Sequence, residues 1–373
     1  MNPLEIPYIL RIIFAFLKDR DRDSIFETCR IFRDNYLWVD PTLAVVKCME
    51  FDNHKLAYEI FFCNRSYIKF SSKILTISCQ KGFDKIIGHW LTHKRIKPNK
   101  CNKAIGIASE NGSLSVVEKL LMDPRVNPSY RRNDAIIMAS EYGHLDVVDR
   151  LLKDPRVDPS DLQNEAIGIA SQNGHLSVVE RLLKDPRVNP SDDDNFAIRA
   201  ASRNDHLSVV ERLLIDPRVD PSDYGNCALI DASRYGYLSV VERLLMDPRV
   251  DPSSFENNAI IWASSNGHLS VVERLLMDPR VDPSDNQNWA IRWAAQNGHL
   301  PVIERLLIDN RVNPANQPVN NHNICDQIIY ITTRYGNLEV CKKLLRNPNI
   351  RLSLFDKTYH WSRLFYTTIK RKL

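Results

Sequence analysis

Glycine is scarce in this chain, 12 in 373 residues, and it gathers nowhere into the Gly-rich loop that cradles a phosphate. No nucleophile elbow, zinc-protease HExxH or kinase signature is present either. Aspartates are plentiful, yet no loop has the spacing or the closing Glu of a calcium-binding hand. Charge of one sign is also lacking. The 50 Lys+Arg stand against 46 Asp+Glu and leave +4, too small an excess to imply a polyanionic partner, so no nucleic acid is expected. Long hydrophobic runs are absent. The stretch from Ile6 to Leu17 holds Arg11 in its middle, follows no basic residue and lacks a small-x-small cleavage pattern, so neither a signal peptide nor a bilayer span is expected, and no membrane partner. The eight cysteines, at 29, 48, 63, 79, 101, 227, 325 and 341, form no CxxC pair and no repeated spacing. That argues against a disulfide framework and a zinc cluster and for reduced, buried thiols in an intracellular, cytoplasmic protein, with the nucleus left open. The sequons Asn64-Arg65-Ser66 and Asn111-Gly112-Ser113 carry no weight without a secretory route.

What the chain does have is apolar material and a period. With 43% hydrophobic and 26% charged residues it is neither disordered nor collagen-like. Its length exceeds what one compact core usually reaches, about 250–300 residues, so either several domains or a stacked array is required. Asn-x-Ala recurs at Asn102, Asn133, Asn164, Asn195, Asn226, Asn257 and Asn288, a step of 31 residues each time. Pro128, Pro159, Pro190, Pro221, Pro252, Pro283 and Pro314 keep the same step, so seven copies run without insertion.

Within one copy, Ala259, Ile260 and Ala263 and then Leu269, Val271, Val272, Leu275 and Leu276 follow helical spacing in two short stretches. The leading Asn257 is read as an N-cap of the first helix, Asn266-Gly267 as its left-handed end, and Ser270 with Glu273 as a capping box for the second helix. Where Pro301 takes the Ser position, the helix is expected to begin one residue earlier. Asp278-Pro279 stops the second helix. The polar, proline-rich stretch from Arg280 to Gln287 predicts an extended, β-like finger with a turn at its tip. The expected fold class is therefore all-α, a helix-turn-helix solenoid with short finger turns.

These copies resemble the ankyrin repeat. Ala290-Ile291-Arg292-Trp293-Ala294-Ala295 falls where that family has Thr-Pro-Leu-His-x-Ala, and Asn297-Gly298-His299-Leu300 matches its Asn-Gly-His-Leu turn. The resemblance covers residues 102 to about 318. Two departures stand out. The period is two short of the usual 33, and the family's His is replaced by Gly106, Ile137, Gly168, Arg199, Ile230, Ile261 and Arg292, which puts its inter-repeat hydrogen bonds in doubt.

Decayed copies are expected on either side, as the ends of a solenoid must face water. Upstream, Ser78 to Phe83 with Ile86, Ile87, Leu91 and Pro98, and more loosely Lys47 to Phe62, place them over residues 39–101. Downstream, Thr333 to Leu338 with Leu344, Leu345 and Pro348 place one over 319–350. Residues 351–373, with Phe355, Tyr359, Trp361 and Phe365, read as a C-terminal capping helix. Residues 1–38 stand outside the period. Ile6-Pro7, the helix through Ile13 and Leu17, Asp21, and a second helix with Cys29 and Phe32 resemble an F-box, against the alternative of an amphipathic N-terminal cap. Arg22 and Thr28 depart from the F-box pattern. That family docks on the Skp adaptor of cullin ubiquitin ligases, so the resemblance implies adaptor contacts at Ile6, Pro7, Ile13, Leu17, Cys29 and Phe32. The combination also resembles ankyrin proteins of giant DNA viruses of amoebae, which would place the chain in a host cytoplasm.

Two ladders invite chemistry. His144, His175, His206, His268 and His299 recur at one repeat position, but stacked helices lie ~8–10 Å apart and both ligands of a zinc must lie within ~2.1 Å of it. A structural turn histidine is the reading, and no metal or cofactor is expected. Arg125, Arg156, Arg187, Arg218, Arg249, Arg280 and Arg311 each have an Asp two residues before, which favours a solvated, mutually paired stripe over a phosphate track. With the chain filled by repeats, no catalytic residues and no enzyme are expected.

Function should sit where the copies differ. The finger tips after Pro-Ser and the residue after each Asn vary from copy to copy. In ankyrin-like folds such residues line the groove that grips a protein partner. Tyr130, Arg131, Asp134, Leu162, Glu165, Asp193, Phe196, Tyr224, Phe255, Asn286 and Trp289 are the candidate partner-binding residues, with aromatic anchors among them. The alternative for some, Trp289 especially, is packing against neighbouring repeats. The sequence thus predicts a monomeric protein-binding scaffold that recruits a target to a Skp/cullin-type ubiquitin ligase, or a plain binding or masking protein with no ubiquitin link.

Overall fold

In a computed structural model of the chain, residues 41–63, 68, 71–92, 98–312 and 324–346 are described. The adaptor-contact residues Ile6, Pro7, Ile13, Leu17, Cys29 and Phe32, the whole 1–38 segment and the 351–373 helix lie outside them. The chain divides into two compact units, Met1–Tyr130 and Arg131–Leu373. All regular structure among the described residues is helical, in twenty helices.

The first unit contains α1 (Pro41–Glu50), α2 (His54–Cys63), α3 (Ser72–Lys81), α4 (Asp84–Leu91), α5 (Pro98–Glu110) and α6 (Leu114–Leu121). Its larger apolar side chains, Met49, Phe61, Ile74, Phe83 and Ile86, are fully buried. His54 stacks on Phe83 with ring centroids 4.1 Å apart. The Tyr58 hydroxyl donates to Asp84 Oδ1 at 3.0 Å, and burial together with that bond pushes the phenol up to about 12. Lys47 and Lys73 hold the Glu50 carboxyl down to about 2. Cys79 is buried and free, and its burial raises the thiol to about 12.

The second unit continues with first and second helices in alternation: α7 (Tyr130–Glu141), which begins at the last residue of the first unit, α8 (Leu145–Leu152), α9 (Asp161–Gln172), α10 (Leu176–Leu183), α11 (Asp192–Arg203), α12 (Leu207–Leu214), α13 (Asp223–Tyr235), α14 (Leu238–Leu245), α15 (Ser254–Ser265), α16 (Leu269–Leu276), α17 (Asp285–Asn297), α18 (Leu300–Ile308), α19 (Ile324–Arg334) and α20 (Leu338–Arg346). The core of each copy comes from the same register. In the copy starting at Asn164, Ala166, Ile167 and Ala170 of α9, Val178, Val179, Leu182 and Leu183 of α10 and Val188 of the finger are all buried. Each such branched side chain contributes about 1.5–3 kcal/mol of burial. First helices pack on first helices and second on second, so a copy has no core without its neighbours.

Four local expectations are corrected. The finger contains no strand; its tip is one left-handed turn, formed for example by Leu162, Gln163 and Asn164 at φ 54°, 58° and 62°. The leading Asn is therefore not an N-cap. Its backbone closes the left-handed turn, and its side chain bonds the finger 25 residues on, at the end of the same copy. The capping box does not form. α16 begins at Leu269 with His268 at its cap position and no side-chain cap, which leaves Ser270 inside the first turn. α18 likewise begins at Leu300, in the same register as its neighbours, with Pro301 inside its first turn.

Candidate functional site

The face on which the variable side chains meet is held by three bonds that repeat with the copies. Asn133 Oδ1 accepts from the backbone N–H of Asp158, and the same bond at 2.8–2.9 Å joins Asn164 to Asn189, Asn195 to Asp220, Asn226 to Asp251 and Asn257 to Asp282. The Asn195 and Asn257 amides donate back to Asp223 and Asp285, and Asn226 to the Ser254 hydroxyl. These asparagines tie the start of each copy to the finger that ends it.

The turn histidines provide the second link. Nε2 of His175, His206, His268 and His299 bonds the carbonyl that ends the preceding first helix, at Glu141, Gln172, Arg234 and Ser265, over 2.8–3.0 Å. A carbonyl without an intrahelical partner thus receives one from the next copy. Each ring lies against the preceding glycine so closely that a Cβ on Gly174, at φ +75°, would sit 2.5 Å from His206 Nδ1. Asp205 is the one side chain found at this glycine position in the second unit, at φ 62°, and the residue that follows in the next copy is Tyr237 rather than His.

The arginine ladder is the third link. Arg187 is held bidentately by Asp185, and its Nη1 also donates to the Val157 carbonyl of the preceding copy at 2.7 Å. Arg218, Arg249, Arg280 and Arg311 repeat both contacts. The guanidinium beside each of Asp185, Asp216, Asp247, Asp278 and Asp309 holds the carboxyl below its usual range. The stripe is paired, as its charges imply, but it is also a set of clamps.

On this frame the predicted residues are placed as follows. Tyr130 is half-buried at the end of the first unit. In the second unit Arg131 and Asp193 are exposed on left-handed tips, Leu162 and Asn286 half-buried on others, and Asp134 and Glu165 half-buried in the first turn of regular helix. Phe196 is half-buried because its ring fills the space left by Gly168, 2.7 Å from where a Cβ there would lie. Tyr224 is exposed, with Arg199 4.8 Å above its ring. Phe255 covers Gly225, where no Cβ could fit, yet its ring remains 60% exposed. Trp289 is 44% exposed.

The first helices add side chains to this face that the residue after each Asn does not reveal. Arg234 lies 4.1 Å from the Trp262 ring, and Arg203 lies beside Tyr235. Asp231 is half-buried, and burial raises its carboxyl despite three arginines nearby. Between α17 and α19 a groove of about 490 Å³ takes Trp289 together with Arg292, Trp293, Tyr330, Arg334 and Tyr335. A signal for these was available, because the positions four, five and eight after each Asn also vary between copies, though less freely than the first.

The arrangement presents aromatic rings, guanidinium groups and amides on a framework of stacked helices. Among the described residues no cluster of His, Cys, Asp or Glu could hold a metal ion, and no helix is long and apolar enough to cross a membrane. The class this defines is an all-α helical repeat solenoid. Family models described as ankyrin repeats match residues 167–256 and 247–318 in a three-copy form and residues 136–183 in a many-copy form, so residues 136–318 carry ankyrin repeats. No protein of curated function matches it. Ankyrin-repeat architecture is typically non-enzymatic and marks a protein–protein interaction scaffold.

Proposed function

We infer that the variable face of the second unit is the partner-binding surface of this scaffold. The observation that carries the reading is the collection of exposed rings, Tyr224, Phe255 and Trp289 with Trp293, at positions that the repeat leaves free. Side chains required by the stack are the same from copy to copy, whereas these differ, and large exposed aromatics are the usual anchors of interfaces. Leu162, Asp193, Phe196 and Asn286 line the same face, and Arg131, Asp134 and Glu165 belong to its first copies. In the full chain, Tyr224→Glu and Trp289→Glu should abolish capture of the partner recovered by proximity labelling while leaving the melting temperature within a degree or two. A loss of folding in either variant would make those rings core and overturn the assignment.

The finer reading, recruitment to a Skp/cullin-type ligase, rests on the sequence of residues 1–38 alone. The full chain should then co-purify a Skp-type adaptor and lose it on Ile13→Lys or Leu17→Lys. Failure to do so leaves the plain binding scaffold.

A further inference from the structure

The groove between α17 and α19 differs from the arginine ladder in its charge. Everywhere along the arginine ladder a guanidinium is closed by the aspartate two residues before it, from Arg125 to Arg311. Arg292 and Arg334 line the groove, and no carboxylate is among its described lining residues. Arg334 Nη1 donates to the Tyr330 hydroxyl at 3.1 Å, a neutral partner that aims the guanidinium without neutralising it. Four aromatic residues surround the pair, Trp289, Trp293, Tyr330 and Tyr335, each between 39% and 52% exposed. Apolar side chains scattered singly over a surface are ordinary; four rings gathered in one concavity mark a contact site. The remaining lining is mostly glutamine, whose amide can both donate to and accept from a peptide backbone.

Resting on the scaffold reading above, we propose that this groove binds an extended acidic segment of a partner protein, with carboxylates on Arg292 and Arg334 and an apolar or aromatic side chain between the tryptophan and tyrosine rings. A planar guanidinium matches a carboxylate bidentately, and about 490 Å³ suits a few residues rather than a folded domain. Single-stranded nucleic acid also stacks on aromatics, but it needs a basic track along the backbone. The groove offers two guanidiniums and no lysine.

The test pans a display library of random short peptides on the full chain and measures the winners by fluorescence anisotropy, with a labelled oligouridylate beside them. Wild-type protein should enrich peptides in which Asp or Glu flanks an aromatic or aliphatic residue. R292E/R334E should weaken them roughly tenfold or more, and R292Q/R334Q should weaken them in the same direction with an unchanged melting curve. Trp293→Ala should lower affinity without changing the preference for acid. Enrichment of neutral or basic peptides, acidic winners indifferent to both double variants, or oligouridylate bound more tightly than any peptide would each overturn the proposal. If winners lose binding only on Tyr224→Glu or Phe255→Glu, the scaffold reading stands and this groove assignment falls. If no peptide is retained at all, the groove assignment falls, while the scaffold reading is decided by the partner-capture test above.

Discussion

At the scale of single residues, two buried polar side chains recur along the array and have opposite energetic meaning. The Asn staple is satisfied on both sides; in Asn195 the oxygen accepts from Asp220 N–H and the amide donates to Asp223. Asn195→Ala removes both bonds and leaves a backbone donor without its acceptor, a change expected to cost about 1–3 kcal/mol in urea unfolding. The serine that follows the recurring alanine late in the first helix is the reverse case. Ser109, Ser140, Ser171, Ser202, Ser233 and Ser264 are fully buried with hydroxyls that have no hydrogen-bond partner. Ala295 occupies the same register in the seventh copy and is equally buried. Ser171→Ala should therefore be neutral or stabilise by up to about 1 kcal/mol. A clear loss of stability from Ser171→Ala would show that the hydroxyl is bonded in solution. Both are simply polar residues in the sequence, and only the geometry separates them.

Among the elements, the finger is where local rules and tertiary demands part company. Three consecutive left-handed residues cost roughly 1–2 kcal/mol each for a residue with a Cβ, and only Gly225 among the tips escapes that cost. The turn persists because a tip aspartate binds it together: Asp161 accepts from Leu162 N–H at 2.8 Å, and its other oxygen accepts from the Asn133 amide. Replacing Gln163, which is exposed and has φ 58°, by Gly should stabilise the chain by about 0.5–1 kcal/mol in spite of Gly's greater freedom when unfolded. An unchanged or lowered unfolding midpoint would exclude a left-handed tip. The helices themselves were readable from period and composition, since Ala, Ile, Val and Leu at helical spacing place the core, and the prolines stop the second helices. The finger was misread as extended because proline and polar residues announce a turn without naming its hand, and the bonds that select the hand come from a residue 28 positions away. The candidate face was legible only in part. Variation at Phe196 and Trp289 showed which surface is free, but that Phe196 fills the space over Gly168 while Trp289 opens into a groove depends on the size of the neighbouring copy's residue.

For the whole molecule, the arginine clamps make stability depend on acid in a defined direction. Asp185, Asp216, Asp247, Asp278 and Asp309 have folded-state values below the usual one. Their contribution is complete above the unfolded value, near pH 4, and is lost as pH falls through the lowered folded value. Each arginine is about 40% exposed, so solvent limits each pair to roughly 0.5–1 kcal/mol. The urea midpoint should stay nearly level from neutral pH to about 5 and drop below about 4. Asp247→Asn should lower the neutral plateau and shallow that drop, and a profile identical to wild type would show that the clamp contributes nothing.

The reach of the three links has a consequence for how such a chain changes over generations. Asparagine joins forward by 25 residues, arginine backward by 30 and histidine backward by 34, so each bond stays in its own copy or stops in the adjacent one. A tandem duplication or deletion of whole 31-residue units leaves every donor facing a like acceptor. Repeat number can drift without a compensating mutation, while each added copy brings one fresh tile of variable surface for selection to shape.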